Sequence, residues 1–166
     1  MGSQWGVNSV RERRYSTDRM SAENVELVKS LQMGPDVDVA SFLEDDEAVA
    51  RLRDAIACSF DPLVQCTMRF PGIPPVTYPG GLDGLHAAWR DWLRQWESYR
   101  VEVEDVLDCG EQVIVALRVQ GRRTPRSPET THRRATVWTV REERVVSVDF
   151  NVPYDEAIAS AQATAS

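Results

Sequence analysis

The chain has 166 residues, 42% of them hydrophobic, enough for one well-packed domain and too few for two. Its net charge of −7 and pI near 4.9 work against polyanionic partners, so neither nucleic acid nor an anionic membrane surface is expected to bind it. Cys58, Cys66 and Cys109 form neither a disulfide framework nor a zinc pattern, and no run of about 18 apolar residues marks a membrane span. The expectation is a cytoplasmic protein with reduced thiols, no metal and no cofactor.

Residues 1–19 contain Arg11, Arg13, Arg14 and Arg19 but lack the apolar core of a secretory signal, and are expected to form a disordered extension. Ser21 can cap a helix from Ala22 to Met33, with Val25, Val28 and Leu31 on one side and Gly34-Pro35 ending it. After the acidic link Asp36 to Asp38, Val49, Leu52, Ile56 and Phe60 mark a second helix. Asp45, Asp46 and Glu47 favour its positive N-terminal end, and Asp61-Pro62 closes it. From Leu63 the period becomes two: Val64, Cys66, Met68 and Phe70 alternate with more polar neighbours, as in a half-buried strand. The breaker-rich PGIPPVTYPGGLDG leaves only Val76 to Tyr78 able to pair, and reads as a loop bordering a mouth.

From Asp83 to Tyr99 the residues Leu85, Trp89, Trp92 and Trp96 recur at intervals of four, three and four, which predicts one apolar helical stripe with Asp83 as N-cap. His86, just past that cap, is expected at the surface. Four alternating segments follow, Val101 to Leu107, Gln112 to Gln120, Thr131 to Val140 and Arg144 to Val152. Two of their connections are short, which predicts an antiparallel meander. Tyr154 to Ala161 adds a helical turn, and residues 161–166 are expected to fray. Helices gathered on one side of a curved sheet make the class α+β.

The last hairpin allows two registers. A two-residue loop at Glu142-Glu143 sets Thr136 opposite Asp149 and Arg134 opposite Asn151. A bulged three-residue loop at Arg141 to Glu143 sets Thr136 opposite Val148, Arg134 opposite Phe150 and Trp138 opposite Val146, and turns Asp149 to the other face.

The stretches MSAENVELVK from Met20, LDGLHAAWRDWLRQWESYRVEVEDV after the Tyr78-Pro79-Gly80 loop, EQVIVALRV, and ATVWTVREERVVSVDFNVPYDEAI resemble SnoaL-like members of the nuclear transport factor 2-like superfamily over residues 20–160. The resemblance implies a single domain shaped as a cone (a cystatin-like roll), in which a strongly curved antiparallel sheet wraps three helices around a blind apolar pocket. It implies the bulged register, and a homodimer through the outer sheet face, with Ala135, Val137 and Val145 outward. The pocket would then receive Cys66, Met68, Trp89, His132, Arg134, Thr136, Trp138, Val148 and Phe150, with Tyr78 near its rim.

The resemblance also bears on chemistry. The tyrosine and two aspartates of ketosteroid isomerases in this superfamily fall nearest Leu31, Gln65 or Cys66, and Thr136, none of which matches. The Arg-x-Asp pattern of limonene-epoxide hydrolases keeps only Arg134. SnoaL-type cyclases use an aspartate base, for which Asp149 or Glu104 would have to face inward. That leaves His132 and Arg134, two apart on one strand, as the candidate acid–base pair. The expected function is binding of a small, mostly apolar organic molecule, with acid–base chemistry of cyclase, isomerase, dehydratase or hydrolase type. The alternative is a non-catalytic scaffold whose core is packed shut. A cavity of roughly 300 Å3 is the mark that separates the two.

Overall fold

The structure is a computed structural model that describes residues 21–165. The extension expected over residues 1–19 lies outside the described residues. The helices are α1 (21–30), α2 (Val39–Glu44), α3 (Asp46–Ile56), α4 (Leu82–Leu93) and α5 (Tyr154–Ala165). The strands are β1 (Phe60–Met68), β2 (Val76–Tyr78), β3 (Ser98–Cys109), β4 (Gln112–Arg122), β5 (Thr130–Arg141) and β6 (Arg144–Pro153). They form one curved, unclosed sheet in the order β2-β1-β6-β5-β4-β3. The β3 to β6 meander is antiparallel as expected, whereas β1 runs parallel to β6.

The concave face and α1 to α4 share the main core. Val28 of α1 and Cys66 and Met68 of β1 are fully buried in it. Helix α2 is missing from the sequence reading because it is only six residues long. Asp38 sets it in place: one carboxylate oxygen accepts from the amide of Ala40 at 3.1 Å and from that of Tyr99 at 3.0 Å, capping the helix and tying it to β3. Helix α3 is capped by Asp45 as its acidic start suggested, but Phe60 begins β1 instead of extending the helix. Asp61-Pro62 therefore lies inside a strand. Its pairing with β6 is irregular between Phe60 and Gln65, where the missing proline donor does no damage.

Asp83 is not the cap of α4. That position belongs to Gly81 at φ 65° and ψ −129°, where a Cβ would collide with the carbonyl of Pro62. Asp83 sits in the first turn, favoured by the helix dipole, and pairs with Arg53 at 2.7 Å. The helix stops at Leu93, earlier than the tryptophan spacing predicted. A turn then carries Trp96 inward, onto Gly121, whose missing side chain leaves room for the indole. The expected aromatic cluster nonetheless forms: Trp92 and Trp96 lie 6.2 Å apart between centroids, and Trp96 and Tyr99 5.5 Å.

The last hairpin follows neither expected register throughout. Its tip is a two-residue turn, with Glu142 at φ 50° and Glu143 at φ 64° and Arg141 opposite Arg144. Val146 is then accommodated as an extra residue, so that Trp138 faces Val148 and Val137 faces Asp149. Asn151, at φ 60°, sits at a second offset that sets Ala135 against Val152. The bulges give the two-residue loop the faces of the bulged alternative, because burial of Val148 and Phe150 requires them inside. Val145 precedes the first offset, so it is fully buried, not outward as the resemblance implied.

The helices do not all lie on one side. Helix α5 covers part of the outer face, where Ala157 packs with Ile114, Ala135 and Val152. Arg69 fastens it there, reaching Glu156 at 2.9 Å and Asp149 at 3.2 Å. The tail expected to fray from residue 161 continues this helix to Ala165.

Candidate functional site

A cavity of about 190 Å3 lies between α1 to α4 and the concave sheet. The sheet supplies Phe60, Leu117, Trp138 and Phe150; the helical side supplies Leu31, Phe42, Leu52, Ile56, Leu85 and Trp89. The aromatic rings brace one another at angles. Trp89 stands 5.1 Å from Phe150 at 68°, and Trp138 stands 6.0 Å from Phe150 at 82°. Edge-to-face contacts of this kind fix rigid rings around a space they do not fill.

Few polar groups reach the wall. Thr136 Oγ1 accepts from Trp138 Nε1 at 2.7 Å, which satisfies the indole and leaves the hydroxyl its own proton to donate. Gln32 donates to the carbonyl of Val28 at 2.8 Å, Ser30 to that of Leu27 at 2.6 Å, and Arg53 is engaged by Asp83. His86 is the remaining one. It is half-buried, and its Nε2 is shielded from solvent without a hydrogen-bond partner among the described residues. Burial foremost, then the Arg90 and Arg53 cations, lower its pKa below the usual 6.5; Asp46 and Asp83 pull the other way and do not prevail. No carboxylate lines this cavity among the described residues.

A second space of about 10 Å3, no larger than a water needs, shares Trp89, Thr136 and Phe150 with the first. Met68 and Arg134 stand on its wall.

Of the residues singled out from sequence, Trp89, Thr136, Trp138 and Phe150 line the main cavity. Arg134 and Met68 reach only the smaller one. Cys66 and Val148 are buried in the packed core and line neither. Burial, with a smaller push from Asp149, raises the Cys66 thiol to about 12, which leaves it without thiolate character. Tyr78 donates to Asp91 at 2.8 Å, linking β2 to α4, and lines neither space. His132 is exposed at the far end of β5, so the expected His132 and Arg134 pair does not meet at the main cavity. The two carboxylates held in reserve point elsewhere: Asp149 binds Arg69, and Glu104 binds Arg118 and Arg133.

Sequence reasoning missed the contribution of α2 and misplaced His86. A signal for the latter was present, since His86 lies three residues before Trp89 and four after Leu82, on the buried stripe of the helix.

An α+β cone with a partly open apolar cavity between a bent sheet and its helices defines the class. The family profile of the SnoaL-like domain matches residues 50–148, and the chain belongs to that family. No curated protein matches it in sequence. Among solved structures it is similar to a nuclear transport factor 2-like protein of unknown function from Burkholderia pseudomallei, with 17% identity and a TM-score of 0.56 over 82% of this chain and 95% of that one. A putative SnoaL-like polyketide cyclase from Jannaschia sp. has 20% identity and a TM-score of 0.56, covering 84% of this chain and 91% of its own. TerC, co-crystallised with polyporic acid, has 16% identity and a TM-score of 0.53 over 87% of this chain and 99% of its own. At these identities the likeness establishes the fold.

Proposed function

We infer that the chain binds a small, mostly apolar organic molecule, about one aromatic ring in size, in the cavity between α1 to α4 and the sheet. The observation that carries this reading is the 190 Å3 space with an almost wholly apolar wall. It falls short of the roughly 300 Å3 that separates the two readings, which counts toward the closed scaffold and leaves room only for a ligand of about one ring. An apolar cavity of about 150 Å3 already takes up benzene, so the space suits a single substituted ring, and a multi-ring skeleton would have to displace side chains. The absence of a lining carboxylate among the described residues weighs against chemistry that needs an aspartate base.

Titration of the full chain with toluene and with anthracene, followed by calorimetry or ligand-observed NMR, tests the reading. Toluene is expected to bind and anthracene is not. Ile56→Phe, which adds a ring to the cavity wall, is expected to weaken toluene binding about tenfold or more while circular dichroism stays unchanged. No toluene binding at millimolar concentration would favour the closed scaffold.

A further inference from the structure

We propose that Arg53 is the anion receptor of this cavity and that the ligand it selects is a one-ring carboxylate, held with its ring inside and its carboxylate at the edge between α3 and α4. The inference rests on the cavity being a ligand site and adds the charge of what enters it. Arg53 belongs to the stripe of α3 that faces the cavity, one residue after Leu52 and three before Ile56. Its Nη2 donates to Asp83 Oδ1 at 2.7 Å, beside Leu82, where the facing stripe of α4 begins. The guanidinium therefore bridges the two helices along the rim of the space they border.

That cation is reachable and only partly engaged. Its side chain is 39% exposed, and its Nε and Nη1 have no partner among the described residues; unlike the Nε of Arg69 and of Arg122, neither is shut off from solvent. Asp83 takes one N–H and is itself 77% exposed, so it holds the guanidinium weakly and leaves a fork that a second carboxylate can fill. The local field favours that anion. At His86, a neighbour on the wall, the Arg90 and Arg53 cations each act more strongly than the Asp46 and Asp83 carboxylates. Among the described residues Arg53 is the one permanent charge on the wall, and the rest of the lining is almost wholly apolar. A benzoate satisfies both parts, whereas an amine of the same size would meet a like charge.

The test titrates the full chain with toluene, benzoate and benzylamine. Benzoate is expected to displace toluene and to bind at least about tenfold more tightly than benzylamine. Arg53→Met keeps an apolar stem on the wall and removes the charge; it is expected to weaken benzoate about tenfold or more while retaining toluene, and retention of toluene also reports that the variant is folded. Asp83→Asn, which withdraws the competing carboxylate, is expected to tighten benzoate about threefold and leave toluene unchanged. Benzoate bound no better than benzylamine, benzoate unaffected by Arg53→Met, or benzoate that leaves toluene in place would overturn the role of Arg53 and leave the cavity reading intact. Where Arg53→Met loses toluene as well, Asp83→Asn decides, and no gain for benzoate there overturns the proposal. Failure of toluene and benzoate alike with the unaltered chain would remove the cavity reading too.

Discussion

His86 shows how its surroundings set the charge of one side chain. Its pKa is lower in the folded chain than the 6.5 of a free imidazole, so between those two values the unfolded chain binds more protons. Stability is then expected to fall as pH drops through 6.5 toward the folded value, and to be insensitive to this group above it. Chemical denaturation between pH 7.5 and 5.5 checks this, with His86→Gln expected to show a flatter profile over that range. Thr136 makes a second prediction at this scale. Thr136→Val keeps the volume but orphans Trp138 Nε1, a loss of about 1–3 kcal/mol in unfolding free energy, while Thr136→Ser keeps the acceptor and should lose far less. His86 was misplaced from sequence because its position after an assumed Asp83 cap suggested solvent, and the cap is two residues earlier, at Gly81.

At the scale of elements, periodicity was legible and boundaries were not. The alternation of Val64, Cys66 and Met68 identified the buried face of β1, and each of these side chains is at most 1% exposed. The start of β1 was hidden because Phe60 fits the stripe of α3 equally well, and only pairing with β6 decides between helix and strand. The tryptophan stripe gave the right cluster from a helix that ends too soon, since a turn can deliver Trp96 to the same neighbours. In the β5–β6 hairpin, burial outranked local turn chemistry: the tip carries two glutamates with positive φ, and Val146 restores the inward set. Replacing that tip by Asn-Gly (E142N with E143G) is expected to stabilise the chain by about 1–2 kcal/mol, read as a higher denaturation midpoint with an unchanged slope. No gain would mean that the strain is absorbed elsewhere in the hairpin.

For the whole molecule, the α+β cone was legible because three amphipathic helices and an antiparallel meander have few ways to share one apolar surface. The cavity wall was only half legible. Its sheet side, Thr136, Trp138 and Phe150, follows from strand alternation, whereas the closing side comes from α1 to α3, whose placement depends on long-range ties such as Asp38 to Tyr99. Helix α5 occupies part of the outer sheet face, so the homodimer implied by the family resemblance would use the strip it leaves open. There Arg118 and Arg133 pair with Glu104 at 3.3 and 3.2 Å. As a proposal, sedimentation at micromolar concentration is expected to show a dimer that weakens with added salt, and a monomer at every salt concentration would remove it. The central claim concerns the hollow interior, and diffraction from crystals of the chain exposed to pressurised xenon addresses it most directly. Xenon density between Trp89, Leu52 and Trp138 is the expected result, and an interior filled by those same side chains would contradict it.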